Sequence, residues 1–152
     1  MAVDVERARA LRFEPITVPV ERGRLAFFAK ATAQADPVYS DLAAAEAAGH
    51  PDLPVPPTFF FSLELESPRP LGWLAELGVD LRRVLHGEQA FTYHALAHAG
   101  DTVTLRPRIT DVYAKKGGAL EFLVKQTEIT RNGSLLAEAT STIVVQNPEA
   151  GR

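Results

Sequence analysis

Apolar residues change their spacing once along this chain, near residue 84. Before that point they recur at helical intervals broken by prolines; after it they alternate with polar residues. Residues 13–20 (F-E-P-I-T-V-P-V) also alternate, but Pro15 and Pro19 deny them a central place in a sheet, so they read as an edge strand or an extended lead-in. From Glu21 the spacing turns helical, with Leu25, Phe28, Ala29 and Thr32 on one side. That helix is expected to stop near Ala35, because Pro37 pushes Asp36 out of the α region. Asp36-Pro37-Val38-Tyr39-Ser40-Asp41 reads as a turn. Ser40 or Asp41 then caps a short Ala-rich helix over residues 42–48, which Gly49 ends.

The densest apolar run is Val55-Pro56-Pro57-Thr58-Phe59-Phe60-Phe61-Ser62-Leu63-Glu64-Leu65. A helix apolar most of the way round must be buried, so this stretch is expected to form a central helix with Pro56 or Pro57 in its first turn. Ser67-Pro68-Arg69-Pro70 breaks it. Residues 71–78 read as one more short helical turn with a glycine stop, and Trp73 as a packing residue.

Beyond Val84 the period is two. Gln89, Phe91 and Tyr93 share one face of a strand, and Ala90, Thr92 and His94 the other. Ala99-Gly100-Asp101 is a turn. The strand over residues 102–113 places Val103, Leu105 and Ile109 on apolar positions, with Pro107 marking a bulge or an edge. Lys115-Lys116-Gly117-Gly118 and Arg131-Asn132-Gly133-Ser134 are hairpin connections, the second strongly so, since Asn-Gly suits the positive φ angles of a type I′ turn. Leu120, Phe122 and Val124 alternate with Glu121 and Lys125, and Ala137, Ala139, Ser141, Ile143 and Val145 line the small apolar face of the last strand. Helices first and an antiparallel meander afterwards predict an α+β fold rather than βαβ units.

Composition narrows the function. The 152 residues suit a single domain spanning 1–152, with residues 1–12 and 147–152 expected to be loose. A net charge of −3 provides no basic excess for a nucleic-acid partner. The absence of cysteine removes disulfides and thiolate chemistry and fits a cytoplasmic protein. No stretch reads as a signal peptide or membrane span. Of the four histidines, His50, His86, His94 and His98, only His94 and His98 stand four apart, and the segment between them reads as a strand end and turn and holds no acid, so neither metal nor cofactor is expected.

Three segments carry a resemblance over residues 13–146: Phe27-Phe28-Ala29-Lys30-Ala31-Thr32 running into Asp36-Pro37-Val38-Tyr39; Val55-Pro56-Pro57-Thr58-Phe59; and Leu85-His86-Gly87-Glu88-Gln89-x-Phe91 followed by Ala99-Gly100-Asp101-Thr102. Together they resemble the N-terminal domain of MaoC-like dehydratases, within the superfamily of (R)-specific enoyl-CoA hydratases and 3-hydroxyacyl dehydratases. The resemblance implies a hot-dog fold, a long antiparallel sheet wrapped around a central hydrophobic helix. It implies a hydro-lyase acting on enoyl and 3-hydroxyacyl thioesters of CoA or ACP. Substrate-binding positions carry over to Pro57, Thr58, Phe59 and Phe60, where backbone N–H groups at the helix start would polarise the thioester carbonyl.

Active members of that family carry a motif of the form G-D-x-N-P-(aliphatic)-H, whose Asp and His activate water. Aligned on Pro37, this chain has Gln34 at the Asp and Tyr39 at the His. A glutamine cannot take a proton from water, and a tyrosine hydroxyl, with an ordinary pKa of about 10, is a poor base at neutral pH. The pair is degenerate, and the chain resembles the non-catalytic subunit of heteromeric dehydratases, active only with a catalytic hot-dog partner. A homodimer or a heterodimer is expected. Three alternatives stay open: a self-sufficient hydratase using Asp36 with His86 or Tyr39; a thioesterase using Glu64, a residue that otherwise caps the exposed end of its helix; and a non-enzymatic acyl-thioester binding module. Lys115, Lys116 and Arg106 could meet CoA phosphates but read first as a solvated hairpin tip.

Overall fold

The alternating stretches become one antiparallel sheet of five strands. The computed structural model of the chain describes residues 3–150. In chain order the elements are α1 (Val5–Ala10), β1 (Ile16–Pro19), α2 (Arg22–Ala31), α3 (Leu42–Ala47), α4 (Phe60–Glu64), α5 (Gly72–Glu76), β2 (Val84–Tyr93), β3 (Thr102–Lys115), β4 (Leu120–Arg131) and β5 (Ser134–Gln146). The strands lie in the order β1-β3-β4-β5-β2, every neighbouring pair antiparallel. This is the α+β hot-dog arrangement, with the helices gathered on one face of the sheet.

Local signals account for the strand ends. Asn132 and Gly133 take φ angles of 50° and 78°, as the β4–β5 hairpin requires. Pro107 sits beyond the reach of β1, which pairs only with Thr102, Val103, Thr104 and Leu105, so its missing N–H deprives no described strand on that side. Gly87 lies at a bulge between His86 and Glu88, where a Cβ would stand 2.7 Å from Val144 Cγ2.

The inner face of β5 reads Ala137, Ala139, Ser141, Ile143 and Val145, all buried. Two apolar clusters pack on the sheet. One joins Phe59, Phe60 and Leu63 to Val103, Leu105, Ile129 and Ala139. The other joins Trp73, Leu74 and Leu77 to Leu123, Ile143 and Val145. Between them runs a row of directly paired residues, Ile109–Lys125–Ser141–Gln89, crossing four strands on the same face. Three of its four members are polar.

Three expectations need correction. The central helix is short. Pro54 is held in an isolated bridge with His98, Val55 N–H donates to Ala97 O, and Thr58 takes a φ of 73°. Helix therefore begins only at Phe60, with both prolines in the turn ahead of it. The N-terminal stretch is not loose: α1, capped by Asp4, packs on β3, and Ala8 is fully buried. Asn147 is also ordered, its Nδ2 donating to Gly118 O and Glu121 Oε2, while Glu121 Oε1 accepts from Val3 N–H. Residues 1, 2, 151 and 152, within the stretches expected to be loose, lie outside the described residues.

Candidate functional site

The segment that aligns with the hydratase motif is a built turn. Asp36 carboxylate accepts from Val38 N–H at 3.1 Å and caps a single 3-10 turn over Pro37–Tyr39. Gln34 Oε1 accepts from Asp36 N–H at 3.2 Å, so the side chain at the motif's acid position is spent on local backbone. Ala33 enters the turn at a φ of 55°. Asp36 and Gln34 are exposed, and Tyr39 is half-buried. No hydrogen bond among the described residues joins the Asp36 carboxylate to the Tyr39 hydroxyl or the His86 ring. His86 instead pairs its Nε2 with Glu88 O at 3.1 Å and rests on Phe61, ring centroids 5.1 Å apart.

The Pro57–Phe60 segment brings two of the expected substrate-binding residues into the core and leaves two at the surface. Phe59 and Phe60 are buried, with Phe28 edge-on to Phe59 at 5.3 Å and the Arg24 guanidinium over its ring. Pro57 and Thr58 are exposed. Two of the amides expected to be free already have acceptors. Thr58 N–H donates to the Tyr93 hydroxyl at 2.8 Å, and Phe59 N–H to Pro56 O at 3.2 Å. Tyr93 therefore governs access to the Thr58 amide, a role that its strand position alone did not announce.

Two cavities meet at Glu64 on α4. The larger, about 300 Å³, is walled by Phe61, Leu65, Leu71, Leu81, Val84 and Ile143, with His86 on its lining. The second, about 220 Å³, extends toward Phe13, Ile16 and Pro107. Glu64, Pro70, Trp73 and Lys125 line both. Gln34, Asp36 and Tyr39 line neither.

Glu64 does not cap an exposed helix end. Its side chain is 5% exposed, and Lys125 Nζ approaches Oε2 at 2.6 Å from a side chain 13% exposed. The approach is a contact of charges without hydrogen-bond alignment, and Oε1 has no donor among the described residues. Trp73 packs as expected, edge-on to Phe13 at 5.8 Å, yet its Nε1 has no acceptor among the described residues. Alternation along β4 groups Lys125 with Glu121, opposite the apolar Leu120, Phe122 and Val124, so it gave no signal that Lys125 faces inward. The residue facing it could not be read from the chain.

A second polar pair braces the loop ahead of α4. His50 Nδ1 lies 3.1 Å from His98 Nε2, and His98 N–H donates to Asp101, which also bonds Arg131 at 2.6 Å. Burial, and then the neighbouring His50, hold the His98 pKa below the usual histidine value. Lys115 lies over the stacked rings of Tyr113 and Phe122 near the β3–β4 turn, at 5.6 and 5.1 Å.

Comparison with known proteins gives a consistent picture. Residues 7–139 match the family model described as FAS1-like, dehydratase domain region. A UPF0336 protein of Streptomyces coelicolor is 40% identical over 108 residues, covering 70% of this chain and 72% of that one. Another, from Leifsonia xyli, is 37% identical over 150 residues, covering 97% and 99%. Among solved structures, the ChsH1–ChsH2 complex from Mycobacterium tuberculosis superposes with a TM-score of 0.76 at 24% identity, over 94% of this chain and 88% of that one. The C-terminally truncated HadBC (3R-hydroxyacyl-ACP dehydratase) complex from the same organism gives 0.75 at 24%, over 90% and 98%. A MaoC-like dehydratase from Phytophthora capsici gives 0.79 at 16%, over 96% of this chain but 51% of that one. At these identities the structural likenesses are likenesses of fold.

Proposed function

The chain belongs to the FAS1-like dehydratase-region family, and from that premise we propose that it is the supporting subunit of a hydratase/dehydratase acting on enoyl and 3-hydroxyacyl thioesters of CoA or ACP. The observation that carries this reading is the pair at the motif positions. Gln34 and Tyr39 stand where an acid and an imidazole are needed, and Gln34 is already bonded to the Asp36 amide. Hydration needs a base on the attacking water and an acid for the α-carbon, both within hydrogen-bond reach of it. Asp36, the nearest carboxylate, holds its own turn and faces neither His86 nor Tyr39 through a hydrogen bond. A second hot-dog chain would therefore supply the dyad, and this subunit would shape the acyl site.

The sheet edges favour the same reading. β1 is an edge of four residues ending in a proline, a poor template for pairing. β2 is the opposite edge, ten residues long and free of proline, with Leu85 and Tyr93 exposed. A partner sheet adding along β2 would cover those side chains and bring its own residues beside Tyr93 and Thr58. Two supporting parallels are the multi-chain neighbours and the Phytophthora protein, of whose length this chain matches half.

The test is hydration of a short and a medium trans-2-enoyl-CoA by the purified chain, alone and mixed with a hot-dog protein bearing an intact D-x-N-P-x-H motif. Silence alone and turnover in the mixture are expected. Turnover by the chain alone would overturn the supporting role and direct attention to Asp36. Binding without turnover in either case would leave a binding module, and release of free thiol would indicate thioester hydrolysis.

A further inference from the structure

Buried polar groups on the polar row and the elements around it go unmatched. Glu64 Oε1, Trp73 Nε1, Gln89 Nε2 and Thr127 Oγ1 are buried and lack partners among the described residues. Buried polar groups are nearly always paired, and each one left bare costs about 1–3 kcal/mol. The Glu64–Lys125 contact does not repay this, since a buried ion pair is at best weakly stabilising beside a hydrophobic substitute. Ser141 satisfies only the oxygen of Gln89, donating to Oε1 at 2.6 Å. The unmatched groups of Glu64 and Trp73 belong to residues lining the cavity of about 300 Å³, whose other walls are largely hydrocarbon and aromatic.

We propose that this cavity takes an aliphatic chain carrying a hydroxyl group away from its thioester end, and that the hydroxyl seats among Glu64, Lys125 and Trp73. The walls Phe61, Leu65, Leu71, Val84 and Ile143 match methylene groups. The seam offers an acceptor in Glu64 Oε1 and donors in Trp73 Nε1 and the Lys125 ammonium. A group that both donates and accepts answers both. A hydroxyl does so, a ketone only accepts, and a methylene does neither. The inference deepens the proposed function by naming a class of acyl chain, and it rests on that reading only in taking the ligand as a thioester.

The test is calorimetric binding of N-acetylcysteamine thioesters to the full chain. The probes are dodecanoyl, its monohydroxy isomers from C5 to C12, and the ketone matching the best isomer. One hydroxy isomer is expected to bind about tenfold more tightly than dodecanoyl, with the ketone falling most of the way back. In Glu64→Leu/Lys125→Met that preference should vanish while dodecanoyl binding persists. Trp73→Phe, which keeps an aromatic ring but loses the N–H, should reduce the preference about threefold; it gives a second reading if the double variant fails to fold. Equal binding of all chains overturns the hydroxyl site and leaves the thioester reading standing. Binding of none overturns both. A preference that survives in these variants also overturns it.

Discussion

The Tyr93 hydroxyl accepts a 2.8 Å hydrogen bond from the Thr58 amide, joining the end of an edge strand to the turn that launches α4. Thr58 holds a φ of 73°, a region that a β-branched residue enters only under constraint. Thr58→Gly relieves that strain and is expected to stabilise the protein by up to about 1 kcal/mol in urea denaturation. Tyr93→Phe removes the acceptor at an exposed site and is expected to cost about 0.5–1 kcal/mol. A stabilising Tyr93→Phe would show that the bond does not hold the turn.

Lys125→Met alone leaves Glu64 buried opposite an apolar side chain. The loss expected in chemical denaturation is about 3 kcal/mol. Adding Glu64→Leu should recover most of it, because the second change removes the stranded carboxylate. A double variant no more stable than the single one would mean that the pair is not coupled.

Asp36→Ala should remove the cap of the Pro37–Tyr39 turn at a cost of about 1 kcal/mol. Activity of the mixed pair of chains should stay within about threefold of the parent, since Asp36 is assigned no proton transfer here. A loss of a hundredfold or more in kcat would return Asp36 to the role of acid/base.

Stability should fall in mildly acidic solution. The folded-state pKa of His98 is lowered by burial and by His50, so the unfolded chain binds more protons between that value and the ordinary histidine value of about 6.5. Unfolding free energy therefore rises with pH across this window: the His98 contribution is full above about 6.5 and is lost progressively as pH falls from there through the lowered folded-state value. Asp101 and Asp52 oppose the shift and Arg131 reinforces it. In His98→Gln, the dependence measured by thermal melts from pH 5 to 8 should flatten. An unchanged slope would assign it to other groups.

The strands and their order along the chain were legible in the sequence, because alternation is a local property and a strand repeats it over ten or more residues; on β4, however, the apolar Leu120, Phe122 and Val124 are only half-buried, and the buried face carries Glu121, Leu123, Thr127 and Ile129. Asn132-Gly133 and the Asp41 cap were legible for the same reason: both act on backbone within a few residues. The placing of Gln34 and Tyr39 at the hydratase motif's Asp and His positions rests on the sequence alone, through alignment on Pro37. The length of α4 could not, since its start is set by Ala97 and His98, about forty residues downstream. Nor could the order of α1, held against β3 with the neighbouring Val3 tied to Glu121, or the burial of Glu64 against Lys125. A carboxylate on an apolar helix looks the same in sequence whether it meets water or an ammonium. Which it meets depends on which strand lies beneath it, and contacts between such distant positions leave no periodic trace in either segment.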